Sequence, residues 1–369
     1  MDTTRRTPAL RALGMSVWLM ASACSSQNAQ DAQENADPGA AIVRAEPPAR
    51  SSDTTTHVLM RRVDFHLPRD VVLRIAWVEG EMRPLRPGQP IVFDDIESFA
   101  MRVDAGEVAL SMTALERLMN DWVFAGDDAP LRELSFETTG DRIRMRGKLD
   151  AFIDVPFEVE ATPEMTPGGE ILMRPERIRT AGAIGSAVRK LLGLQLDEVV
   201  DLSQARGIRA QGDQLFLDPS ILLPPPRIEG PIVAIRVEPG YIVQRFGADS
   251  ANRAARNSIE EGLHEGSNEM WFRGGQLGFG KLRMIDADLR VIDLDPRDSF
   301  DFSIVAYEEQ LVAGFSRNTE VLGLDAFMPD LNDLRTSCSS SNARDACARP
   351  SPPDDGQPGR GRRVTRAYR

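Results

Sequence analysis

The chain is poor in histidine, cysteine and lysine, on which many catalytic centres depend. Its three histidines, His57, His66 and His264, lie far apart with neither an HExxH pattern nor an i, i+4 pair, which excludes the common zinc-hydrolase arrangements. The G-x-S-x-G elbow of an activated serine is missing, since Gly314-Phe315-Ser316-Arg317-Asn318 lacks the second glycine. There is no Walker A sequence, and Gly278-Phe279-Gly280 is not followed by the third glycine of a dinucleotide loop. Lysine occurs only at Lys148, Lys190 and Lys281, and the formal net charge of -12 argues against a general affinity for phosphate backbones, so nucleic acid is not expected as a partner. No nucleophile or acid-base pair stands out, and the sequence gives no reason to expect an enzyme or a cofactor.

The N-terminal residues follow a secretory order. Arg5, Arg6 and Arg11 precede an apolar stretch from Ala12 to Met20, which falls well short of the ~20 residues a bilayer-spanning helix needs. Small residues then lead to Ala21-Ser22-Ala23-Cys24, which resembles a bacterial lipobox with alanine in place of the usual leucine. The alternative is an ordinary signal peptide with a cysteine by chance beside an A-x-A-like site. Cleavage before Cys24 and diacylglyceryl attachment to its thiol would fix the protein to a membrane, because acyl chains contribute ~0.8 kcal/mol per buried methylene. Ser25 is not the aspartate that retains many lipoproteins at an inner membrane, so the expected address is the periplasmic face of an outer membrane. Residues 24–57 are rich in Ala, Gln, Asp, Pro, Ser and Thr and read as a disordered tether. Such a chain reaches about 5–6 Å times the square root of its length.

From Val58 the composition changes, and alternation at period two predicts strands in an α+β fold. Leu73, Ile75 and Trp77 share one face, as do Met101 and Val103. A hairpin is expected around Gly140-Asp141, with Leu134, Phe136, Ile143, Met145 and Leu149 on one side and Arg142, Arg144 and Arg146 on the other. A second hairpin turns at Thr166-Pro167-Gly168-Gly169 between Phe157, Val159, Ala161 and Ile171, Met173. Two helices interrupt the strands. The first takes Thr113 as N-cap with Glu116 closing a capping box, and lines up Leu115, Leu118, Met119, Trp122 and Val123. The second covers about 186–205 and is apolar over a broad arc.

Strands resume at Ile208, Leu215–Leu217, Ile228, Val233–Val237 and Tyr241–Phe246. A polar stretch from Gly247 to Ser267 reads as a loop or a poor helix. Met270–Phe272, Gln276–Phe279, Leu282–Ile292 and Phe302–Tyr307 are expected to be strands that either extend the first sheet or form an addition to it.

The order of segments resembles the LmeA-like phospholipid-binding family, a branch of the tubular lipid-binding (TULIP) group. The resemblance runs from about Val71 to Gly247. It rests on Leu131-Arg132-Glu133-Leu134 leading into Thr139-Gly140-Asp141-Arg142-Ile143, then Val155-Pro156-Phe157-Glu158-Val159 and the run from Gly169 to Ile178. Leu191-Leu192-Gly193-Leu194, Val200-Asp201-Leu202 and the run from Gly212 to Pro219 complete it. It implies a long, strongly curved antiparallel sheet wrapped around one or two helices, with an apolar groove for acyl chains and extra strands after it. The groove residues expected on this basis are Leu73, Ile75, Trp77, Met101, Val103, Leu115, Met119, Phe136, Met145, Phe157, Leu192 and Val199. Methionine, adaptable to ligands of irregular shape, is frequent among them and also at Met112 and Met173, although each single methionine also reads as plain core.

The organisation expected is a signal peptide (1–23), a tether (24–57), a lipid-binding domain (58–247), a mostly stranded extension (248–334) and a disordered basic tail (335–369). Cys338 and Cys347 form a disulfide in an oxidising compartment or remain two free thiols. Asp286, Asp288, Asp293 and Asp295, with Asp298 beside them, either offer paired carboxylates to calcium or line a solvated strand face. Two functions stay open: a membrane-anchored binder of phospholipid-like ligands for transport or storage in the envelope, or an adaptor whose lipid holds one end while the basic tail touches an anionic envelope polymer.

Overall fold

The computed structural model describes residues 54–150, 154–180, 200–320 and 323–339. Cys24 and the rest of the N-terminal segment, Leu192, Val199, Cys347 and the tail beyond Ser339 lie outside them, and with these go the anchor, most of the second helix and the Cys338–Cys347 pairing.

Alternating apolar residues become two large open sheets and a small one. The largest has eleven strands. Its centre is an antiparallel run of β1 (Thr56–Leu67), β2 (Val71–Pro84) and β4 (Phe99–Ser111). Beside β4 come β13 (Tyr241–Phe246) and β12 (Ile232–Glu238); beside β1 come β14 (Glu269–Arg273), β17 (Asp288–Asp293), β20 (Leu324–Met328) and β19 (Phe315–Asn318). Two short strands, β11 (Arg227–Glu229) and β18 (Phe300–Ser303), pair in parallel with β4 and β1. The second sheet has six strands in the order β5 (Leu131–Thr139), β6 (Arg142–Asp150), β7 (Asp154–Met165), β8 (Ile171–Thr180), β10 (Gln214–Leu217) and β9 (Ile208–Gln211). The small sheet joins β3 (Ile91–Val92), β15 (Gln276–Phe279) and β16 (Leu282–Ile285). Neither large sheet closes into a barrel, so the class is α+β. The strands after Gly247 extend the first sheet, β14 pairing along β1 from His57 to Arg61.

Strands β1 and β2 exchange their buried faces at the same level. Val63, Phe65 and Leu67 are buried with Val71, Leu73 and Ile75; on the far side of Arg62, which has φ 53°, the buried set is Val58 and Met60 with Val78 and Met82. Between β2 and β4 the register shifts at Ala76, and one extra residue moves every later side chain to the opposite face. Trp77 therefore points away from the side on which Leu73 and Ile75 lie. It packs instead with Leu59, Ile259, Leu263 and Trp271 in a separate apolar cluster, with the Arg256 guanidinium 5.1 Å from its ring centroid.

The first helix, α1 (Met112–Leu118), starts earlier than the sequence suggests. Ser111, the last residue of β4, is the N-cap, its hydroxyl accepting from the Ala114 N–H at 3.0 Å, so Thr113 is already inside. A π-helical turn, Met119–Val123, carries it on. The second expected helix does not reach Ala205. Residues 200–202 have no regular structure and 203–205 turn, and the Asp201 carboxylate accepts from the Ser203 N–H at 2.9 Å, a local bond that competes with helix.

After a short α2 (Pro219–Leu222), the polar stretch beyond Gly247 is a true helix, α3 (Asp249–Gly262). Its buried residues Asn252, Ala255 and Ile259 keep helical spacing, and the Asn252 amide donates to the carbonyls of Phe246 and Gly247. The expected strand from Leu282 to Ile292 is two, broken at Asp286 with φ 54°. Strand β18 ends at Ser303, and Tyr307 opens α4 (Tyr307–Ala313). The last described element, α5 (Leu331–Ser339), carries regular structure past the boundary at 335, and β1 begins at Thr56, inside the expected tether.

The chain has few aromatic residues, yet the buried ones gather. Phe93 has the rings of Phe99, Phe272, Phe279 and Tyr307 at 5.1 to 5.9 Å between centroids. This cluster belongs to one continuous core that also holds Leu134 and Ile143 of the second sheet.

Candidate functional site

The second sheet has two unlike faces, as its hairpins require. On the outer face arginine and glutamate alternate from strand to strand. Arg146 meets Glu137 and Glu158, each at 2.8 Å, and Arg179 reaches Glu158 at 3.0 Å. Arg144 meets Glu160 at 2.8 Å. The adjoining guanidinium groups hold the Glu158 and Glu160 carboxyls below the usual carboxylate range, so these carboxylates stay ionised.

The inner face is hydrocarbon. Phe136 of β5, Ile143 and Met145 of β6, Phe157 and Val159 of β7 and Met173 of β8 face α1, β13 and the segment around Val200 and Leu202, but do not fill the space between. A cavity of about 410 Å³ remains, within the ~300–1,000 Å³ range of small-molecule sites. A second cavity of about 60 Å³ lies against the eleven-stranded sheet and shares Leu110, Ile171, Leu222 and Gln244 with the first.

The expected groove residues divide accordingly. Leu115, Met119, Phe136, Met145 and Phe157 line the large cavity. Leu73, Ile75, Met101 and Val103 line the small one. Trp77 lines neither, for the reason of register given above. Ile143, Val159 and Met173 belong to the site by the same alternation that identified their neighbours. Ile235, Ile242 and Gln244 come from β12 and β13, whose place beside β4 is a long-range pairing that local alternation does not reveal.

The aspartates considered for calcium do not converge. Asp288 accepts from the Trp271 indole N–H at 2.6 Å, and Asp295 is ion-paired with Arg297. Asp293 is buried and accepts from the Asn268 amide at 2.9 Å and from the Asp295 N–H at 2.8 Å. Asp286 forms the left-handed turn between β16 and β17. Among the described residues no group of three or more acidic, histidine or cysteine side chains is placed to hold a metal. His66 is not solvated, as scattered histidines usually are: it is half-buried, with its Nε2 against Asp301. His264 bonds through Nδ1 to the fully buried Glu269 at 2.8 Å.

Burial pushes the Asp293 carboxyl up to about 6. Burial also pushes that of Asp330 up to about 7, where Asp293, Asp298 and Asp301 add to the effect against the pull of the Asp301 amide. Asp293 ends β17 and Asp330 precedes α5, and neither lines the apolar cavity. No described helix is long and apolar enough to cross a membrane.

Comparison of the chain with family models, with curated proteins and with solved structures finds no match.

Proposed function

We propose that this chain is a membrane-anchored lipid-binding protein that shelters acyl chains of phospholipid-like ligands for transport or storage in the cell envelope. The observation that carries this reading is the unfilled apolar cavity of about 410 Å³ between the six-stranded sheet and α1. A chain of ~16 carbons transferred from water to such a lining gains on the order of 10 kcal/mol, at ~0.8 kcal/mol per methylene. Binding therefore needs no reactive group, and none is assigned. The resemblance to the LmeA-like family supports the same ligand class, and in that view the second sheet is the curved layer that wraps the ligand. The lipobox-like segment ending at Cys24 supports attachment at the periplasmic face of an outer membrane, with residues 24–57 as the spacer. In this mechanism apolar side chains replace water around the chain while the headgroup stays outside.

The test is titration of the full chain carrying Cys24→Ser with a pyrene-labelled acyl lipid in the absence of detergent. A single saturable site is expected. Met145→Asp, which places a carboxylate against the cavity, should abolish saturation while the circular dichroism spectrum stays unchanged. Binding that survives this substitution would contradict the cavity as the site. An adaptor without a ligand would show no saturable binding and would lose its partner on removal of Arg360 to Arg369.

A further inference from the structure

Gln244 is the uncharged polar side chain among the described residues of a mostly hydrocarbon wall. It lies on β13 between Ile242 and Phe246, both buried and both facing the cavities, and its register partners are Val108 of β4 and Ile235 of β12. Period-two geometry puts its side chain on the same face as these neighbours. It lines both cavities, where they meet. The side chain forms no hydrogen bond among the described residues, although an amide offers two donors and an acceptor. The amide is half-buried and within reach of water, so a guest that displaces this water has to replace the hydrogen bonds it makes.

The charges around the same cavity show which guest fits. Among the described residues no arginine or lysine lines it, and its ionisable lining groups, Glu176 and Asp213, are both acidic. Glu176 is already held by Arg142 at 2.7 Å and by the Thr162 hydroxyl at 2.7 Å. A carboxylate or phosphate drawn into this space would lose its hydration without gaining a cation from the described residues. A carbonyl ester would lose little and would accept from the Gln244 amide.

We infer that the Gln244 amide reads an uncharged ester of an acyl lipid at the junction of the two cavities, and that the site discriminates against free fatty acids. This rests on the proposed lipid binding and adds the chemistry of the group recognised. The ester occurs in glycerides and in phospholipids, whose heads differ only outside the cavity.

The test is competition against a fluorescent acyl probe at pH 8 with hexadecane, methyl palmitate and palmitate, using the full chain with Cys24→Ser. Methyl palmitate should displace the probe in preference to palmitate. Gln244→Leu should weaken methyl palmitate about 3- to 10-fold, the worth of one hydrogen bond, and leave hexadecane unchanged or tighter. Gln244→Lys, which supplies a cation, should shift the preference toward palmitate. Monopalmitoylglycerol and lysophosphatidylglycerol then separate the two sources, and sensitivity of either to Gln244→Leu supports the inference. If the wild-type protein binds palmitate as tightly as the ester, or Gln244→Leu binds the ester unchanged, the inference is wrong while lipid binding stands. If none of the compounds displaces the probe, or the probe itself does not bind, the lipid-binding reading fails and the inference fails with it.

Discussion

The side-chain amide of Asn120 pairs with the backbone of Leu134 as a neighbouring strand would. Its Nδ2 donates to the Leu134 carbonyl at 2.7 Å, and its Oδ1 accepts from the Leu134 N–H at 2.8 Å. Asn120 belongs to the π-helical turn after α1, and Leu134 to the first strand of the second sheet. The two bonds fasten the helix that follows the large sheet to the sheet that forms the cavity, just where β5 shifts register against β6. Asn120→Ala leaves both backbone groups of Leu134 without a partner. The expected loss is about 1–3 kcal/mol in chemical denaturation, with weaker acyl-probe binding because α1 no longer holds its distance from β5. Asn120→Asp keeps the acceptor alone and should fall between alanine and wild type.

Strands β2 and β4 come too close at one point for any side chain. A Cβ on Gly80 would lie 2.1 Å from the Arg102 carbonyl oxygen, beside the shift in register that separates Gly80 from Glu79. Gly80→Ala is therefore expected to destabilise by at least about 1–3 kcal/mol, since the obstacle is backbone and cannot rotate away. Gly126→Ala, at a glycine with open space around it, serves as the neutral control in the same thermal melt.

How far the sequence reveals this molecule depends on the range of the forces involved. The hairpins at Gly140 and Thr166 are local, with turn residues and alternation agreeing, so both strands and faces are readable, and three of the expected groove residues, Phe136, Met145 and Phe157, line the cavity from them. Trp77 was misplaced because a bulge at Ala76 reverses the phase, and nothing in the spacing of Leu73 and Ile75 announces it. The start of α1 moved because β4 continues to Ser111, a cap chosen by the sheet. Helix α3 has so few apolar residues that its pattern is weak, and packing on Leu59 and Trp271 makes it visible. The parallel pairing of β1 with β18 joins residues more than two hundred positions apart, beyond the reach of any local signal.

The buried carboxyls give the fold a pH dependence of definite sign. The pKa of Asp330, near 7, and of Asp293, near 6, lie above the ~3.9 of an aspartate in an unfolded chain. The folded state thus binds these protons more tightly, so the cost of ionising them is absent near pH 4, grows as the pH rises, and is complete above about pH 7. The melting temperature is expected to be higher at pH 5 than at pH 8. Asp330→Asn, which cannot ionise, should flatten that difference; a melting temperature that rises from pH 5 to pH 8 would contradict the assignment.

In the proposed reading, membrane attachment through Cys24 is separable from ligand binding. Cys24→Ser should move the protein from the membrane to the soluble fraction after expression in a secreting host. Mass analysis of the wild-type N-terminal peptide should show a lipid-modified cysteine, whereas a peptide with an unmodified thiol at Cys24 would point to an ordinary signal peptide.

Whether the cavity holds a guest is read directly by native mass spectrometry of the purified chain carrying Cys24→Ser. A second population heavier by one acyl lipid is expected, released on activation and absent from Met145→Asp. A single population at the mass of the bare chain, unchanged after incubation with lipid vesicles, would contradict it.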